Sequence, residues 1–174
     1  QYLESIISNH QEDLRFLLLV SNTYIVLNEF DNALTILEKI QHISPNNCQQ
    51  YYLLGRLYQK KKQYSKAINS FKKSLDIEPD NIESLYDLAT AYYLNKDFLQ
   101  AKEYLKHTLS MAPEHKQSLS ILAKIHLKDN EYNRSIQLLE RRLMVQPNHG
   151  PTYYDLGLSY LGLKQYNYAL SKLY

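Results

Sequence analysis

Acid–base, nucleophilic or metal chemistry in this 174-residue chain would fall to six histidines, one cysteine and eighteen carboxylates. His10, His42, His107, His115, His126 and His149 form no His-x-x-x-His pair, and none joins Cys48 at a metal-ligand interval. Cys48 stands where a helix is expected to begin, a place where the helix dipole lowers a thiol pKa. No histidine lies at partner spacing from it, so it reads as a structural cysteine. Gly55, Gly150, Gly157 and Gly162 make no phosphate loop, and the carboxylates show no pairing suited to acid–base work. The expectation is a non-catalytic chain with no metal and no cofactor.

Charge narrows the partners. A net charge of +2 argues against a dedicated nucleic-acid surface. Lys60, Lys61, Lys62, Lys72 and Lys73 read as solvated helix and turn residues. Phe16 to Val20 is an apolar run far too short to cross a bilayer, so no direct membrane insertion is expected. One cysteine rules out an internal disulfide and leans mildly toward the cytoplasm, which is the expected location. The Asn133-Arg134-Ser135 acceptor match is expected by chance in an Asn-rich chain.

The elements that would position any surface come from a repeat. Pro45, Pro79, Pro113 and Pro147 lie 34 residues apart. With the proline at position 32, units begin at Leu14, Cys48, Ile82, Lys116 and Gly150. Position 8 is then small throughout (Ser21, Gly55, Ala89, Ala123, Gly157), and so is position 20 (Ala33, Ala67, Ala101, Ser135, Ala169). Position 11 is Tyr24, Tyr58, Tyr92, His126 and Tyr160, and position 17 is aromatic from Phe30 to Tyr166. Positions 4, 7, 8 and 11 share one face of a first helix, helix A, over about positions 2–14. Positions 17, 20, 21 and 24 share a face of a second, helix B, over about 17–30. Small residues let the two backbones approach, and the proline ends helix B. Asn47 with Gln50, and Asp80 with Glu83, have capping-box spacing. Repeat four departs most, with His126 for tyrosine, Ser135 for alanine and Arg142 at position 27, where a small residue is expected.

These columns, clearest in Tyr51-Tyr52-Leu53-Leu54-Gly55-Arg56-Leu57-Tyr58 and Tyr153-Tyr154-Asp155-Leu156-Gly157-Leu158-Ser159-Tyr160, resemble the tetratricopeptide repeat (TPR) family from Leu14 to Tyr174. The resemblance implies an all-α, right-handed superhelical solenoid of antiparallel helix pairs. It sets residues 1–13 as the end of a preceding repeat and 14–47, 48–81, 82–115 and 116–149 as repeats one to four. Residues 150–174 are then an incomplete repeat five of the same single array. Tyr2 to His10 reads as the tail of a helix B, and the piece as the interior of a longer array. Self-association through open solenoid ends follows as an expectation.

The resemblance also implies a concave groove lined by positions 2, 5, 6, 9, 12 and 13 of helix A. Position 5 carries Leu18, Tyr52, Tyr86, Ser120 and Tyr154, and tyrosine suits peptide contact. The same position also faces the neighbouring helix, where a tyrosine packs instead. The partner-binding candidates are Asn22, Tyr52, Arg56, Tyr86, Asp87, Thr90, Lys124 and Tyr154. Some family members grip a terminal carboxylate with a Lys/Asn/Arg clamp. Its positions here hold Leu18, Asn22, Leu53, Glu83 and Asp87, or Tyr52, Arg56, Asp87, Gln117 and Ile121, and neither set matches. The expected function is a protein-interaction scaffold for a peptide or helix of a partner protein, within a larger protein or assembly. The alternative is a regulatory or substrate-recognition arm of an enzyme whose catalytic domain lies outside this segment.

Overall fold

A computed structural model describes residues 13–173, and the helix expected over Tyr2 to His10 lies outside them. The regular elements among the described residues are α-helices. They are α1 (Leu14–Val26), α2 (Phe30–Ile43), α3 (Cys48–Lys60), α4 (Tyr64–Ile77), α5 (Ile82–Leu94), α6 (Phe98–Met111), α7 (Lys116–Lys128), α8 (Tyr132–Val145), α9 (Gly150–Gly162) and α10 (Tyr166–Leu173). The B helices from α2 to α8 start and stop at the expected positions, and each A helix begins one residue earlier than expected.

The capping residue explains that shift. Asp13, Asn47, Asn81, His115 and His149, one repeat apart, each accept a backbone N–H of the first turn of α1, α3, α5, α7 and α9. Asn47 caps as expected, but Gln50 does not reach back to it. Its Nε2 donates to the Leu37 carbonyl at 2.7 Å, so the capping box is only half formed. At the next boundary the cap is Asn81, which accepts from Ser84 N at 2.9 Å, and not Asp80. Each A helix leaves through a residue in the left-handed region: Asn28, Lys62, Lys96, Asn130 and Lys164, with φ between 58° and 65°. The residue after four of these turns donates back to the position-11 carbonyl, as Gln63 N does to Tyr58 O at 2.8 Å, closing the helix end.

The chain divides into two compact units, Gln1–Asn95 and Lys96–Tyr174. In the first, α1 pairs antiparallel with α2 and α3 with α4, and α5 packs on α4. Its core holds Leu17, Ile25, Leu37, Ile40, Leu53 and Leu57, each worth about 1.5–3 kcal/mol of burial. In the second, α7 pairs with α8 and α9 with α10, and α6 packs on α7. Ala123, Ile136, Leu139 and Leu156 form the core there. Ala67 and Ala101 are fully buried, as their column requires. Gly55 shows why position 8 stays small: a Cβ there would stand 2.5 Å from the Phe71 ring.

Candidate functional site

In the first unit, the repeat places Asn22 and Arg56 at the same position of successive A helices, 34 residues apart. Arg56 Nη1 donates to Asn22 Oδ1 at 2.8 Å. Its guanidinium carbon lies 5.8 Å from the centroid of the Tyr52 ring, one turn earlier on α3. Tyr52 in turn leans on Phe71 of α4, with ring centroids 5.9 Å apart and planes tilted by 51°. The Tyr52 hydroxyl donates to the Asp87 carboxylate on α5. Burial, helped by the Asp87 charge, pushes the phenol well above its ordinary value. Burial also pushes the Asp87 carboxyl up, against the opposing pulls of the Tyr52 hydrogen bond and the Arg56 charge. Asn22, Tyr52, Arg56 and Asp87 are therefore one network, with Glu83 adding a second carboxylate nearby.

An open cleft of about 410 Å³ adjoins this network, lined by Arg56, Gln59, Lys60, Lys62, Tyr64, Asp87 and Leu94. Gln59 Oε1 is buried there without a hydrogen-bond partner. Tyr86 and Thr90 lie one turn apart on α5, half-buried, and the Thr90 hydroxyl donates to the Tyr86 carbonyl at 2.9 Å. Burial pushes the Tyr86 phenol up. Position 6 does not face the groove uniformly: Asp87 is partly open, whereas Leu53, placed on that face from the sequence, is 1% exposed and belongs to the core. Ile25, placed there likewise, is fully buried.

In the second unit, Tyr154 of α9 is 58% exposed, unlike the half-buried Tyr52 and Tyr86 of its column. Lys124 Nζ of α7 lies 3.9 Å from Asp155 Oδ2 of α9. Burial raises the Asp155 carboxyl, while Lys124, His149 and Arg142 pull it down. Arg142 of α8 is buried, and its Nε donates to Ser120 Oγ of α7 at 2.5 Å. Arg142, Ser120 and His149 were not among the sequence candidates. The available signal was a coincidence within repeat four: the one arginine at position 27 and the one serine at position 5 stand in the same unit. The small serine leaves room for the long arginine.

His115, His126, His149 and the cysteine have structural surroundings. His115 and His149 are caps, with Nδ1 accepting from Ser118 N and Thr152 N at 3.3 Å. His126 is buried in its tyrosine column, and its Nδ1 bonds Glu131 Oε2. Cys48 opens α3, but burial and the neighbouring Glu78 push its thiol up to about 11, opposite to the direction a nucleophile needs. Among the described residues no group of His, Cys, Asp and Glu has the arrangement to hold a metal ion. No helix among them is long and apolar enough to cross a membrane.

Comparison with known proteins agrees with this architecture. The family model described as the cytochrome c-type biogenesis protein H TPR domain matches residues 42–153. No curated protein matches the chain. Among solved structures it is similar to MamA, at 20% identity over 93% of this chain and 88% of that one, with a TM-score of 0.83. It is similar to PilF of Pseudomonas aeruginosa at 16% identity, over 94% of this chain and 75% of that one, with a TM-score of 0.83. YrrB, described as a TPR protein with an unusual peptide-binding site, is 19% identical over 99% of this chain and 89% of that one, with a TM-score of 0.80. At these identities the likeness is one of fold.

Proposed function

The chain belongs to the tetratricopeptide-repeat family, and from that premise we propose that it holds a peptide or helix of a partner protein on the exposed faces of its A helices. It is a TPR-type protein-interaction module. The observation that carries the peptide site is the open cleft beside Arg56 and Asp87, where Gln59 Oε1 has no donor. A peptide backbone N–H supplies that donor, and buried polar groups left unpaired cost about 1–3 kcal/mol each. YrrB, a TPR protein described by its peptide-binding site, supports the same use of the fold.

The positions divide the labour. Tyr154, largely exposed, is free to become a buried anchor. Tyr52 and Tyr86 are already half-buried and set the walls of the first unit's face. Arg56, Asp87 and Lys124 fix register and tune association rate.

The test starts with affinity capture by the intact array, followed by calorimetry of the captured partner against variants. Arg56→Ala and Gln59→Ala should each weaken binding by about fivefold or more, in line with one lost charged or buried hydrogen bond. Lys72→Ala with Lys73→Ala, on exposed parts of α4, should leave it unchanged. The reverse pattern refutes the assignment to the A-helix face.

A further inference from the structure

Arg142 stands in a column whose other members are Ile40, Ser74 and Thr108, all fully buried. It is buried too, at 6% exposure. Burying a guanidinium is costly unless its donors are paired. Here the pairing is incomplete: Nε donates to Ser120 Oγ at 2.5 Å, while Nη1 is shielded from solvent and makes no hydrogen bond. The charge around it is unbalanced as well. Asp155 is the carboxylate that faces the guanidinium, and it leaves Nη1 unsatisfied. That carboxylate is shared with Lys124, whose Nζ stands 3.9 Å away, and it also interacts with His149. Lys116, in the first turn of α7, acts on His149. Two fixed cations, Arg142 and Lys124, thus share one carboxylate. His149 adds no charge while its Nδ1 accepts the Thr152 N–H.

We propose that Arg142, Lys124 and Ser120 form a binding site for a side-chain carboxylate, aspartate or glutamate, of a partner peptide. The incoming oxygen takes the orphan Nη1 donor, and Lys124 leaves its loose contact with Asp155 to take the second oxygen. A planar singly charged group matches the guanidinium fork. A phosphate dianion suits the site less, because Asp155 stays in it and repels the second charge. This deepens the peptide-binding reading for the second unit and rests on it for the source of the carboxylate. The arrangement differs from the terminal-carboxylate clamp, because its central arginine comes from a B helix.

The test is a nuclear magnetic resonance titration of the full chain, read at the Arg142 Nε–H signal. The probes are N-acetyl-glutamate N-methylamide, its glutamine counterpart, and inorganic phosphate. The glutamate compound should shift the Arg142 signal and bind at least about tenfold more tightly than the glutamine compound. Asp155→Asn should tighten it by about threefold or more, and Lys124→Gln should weaken it by as much. Arg142→Met should abolish the shift in the surrounding amides. If that variant does not fold, the opposite signs of the other two still decide. Equal binding of the glutamate and glutamine compounds, or indifference to both Asp155→Asn and Lys124→Gln, overturns the proposal. Phosphate binding more tightly than the glutamate compound overturns the carboxylate assignment. Because the probes need no partner, failure here leaves the Arg56 cleft untouched. Partner binding that ignores the Arg56 and Gln59 changes, while the glutamate compound still binds, removes the peptide reading and leaves the anion site.

Discussion

Arg56 in the first unit and Arg142 in the second are arginines with contrasting surroundings. Arg56 donates to Asn22, lies beside the Tyr52 ring and faces Asp87, with Glu83 nearby, so its charge has carboxylates to spare and its network is largely satisfied. Arg142 is more deeply buried, bonds one serine, keeps an orphan Nη1 and shares a single carboxylate with Lys124. The same repeat geometry therefore yields a well-paired wall in one unit and an incompletely paired cationic cluster in the other. Similar scaffolding does not make equivalent positions equivalent in function. The column of groove tyrosines teaches the same lesson, since Tyr52 packs against Phe71 and Tyr154 faces solvent.

The largest difference between the units is expected in packing. The first unit seats Phe71 over Gly55, whereas the corresponding pair in the second is Leu139 and Ala123. Gly55→Ala should cost about 1–3 kcal/mol in a denaturant melt, because the aromatic ring has to move. Adding Phe71→Leu, which copies the second unit, should recover part of that loss. A double variant as unstable as the simple sum would mean the ring is not the obstacle. The arginines come next. Arg56→Met strands Asn22, Asp87 and Glu83 and should cost about 1–2 kcal/mol. Arg142→Met removes an incompletely paired buried charge and should be neutral or stabilising within about 1 kcal/mol. Equal losses at both sites would erase the proposed contrast.

The helix caps separate the units by pH. Burial, and then the Arg142 charge, lower the pKa of His149 from its ordinary 6.5, so the fold favours the neutral ring. That contribution is complete above pH 6.5 and is lost as pH falls from there toward the lowered folded value. Stability measured by denaturant melts at pH 7.5 and about pH 5.5 should fall in the wild type. It should fall less in His149→Asn, which substitutes the cap type of Asn47 and Asn81. An identical fall in both proteins would remove His149 as the cause. The smallest effect is expected where the units agree. Lys62→Gly and Lys164→Gly relieve a left-handed residue and should each stabilise by about 0.5 kcal/mol after the entropy of glycine is subtracted. Asn130→Gly should gain less, since asparagine tolerates that region.

What was legible in the sequence follows from which constraints are local. The period, the small columns and the prolines report close backbone approach and helix ends, and they placed the helices to within a residue. The Asp80–Asn81 pair offered two cap types side by side, and the spacing of Glu83 pointed to the wrong one. The left-handed exits stayed hidden because lysine and asparagine, not glycine, occupy them. Asn22, Tyr52, Arg56 and Asp87 were readable as one face because the repeat brings equivalent positions together. Arg142 was visible only as an exception, since its partner Ser120 lies 22 residues earlier on another helix.

Amide hydrogen exchange of the chain with and without its captured partner reports where a partner peptide on the A-helix faces would lie. Protection should appear in α3, α5 and α9, around Gln59, Asp87 and Tyr154, and be absent around Lys72 and Lys73 of α4. Protection confined to α4 and α8, with α3, α5 and α9 unchanged, would contradict that placement.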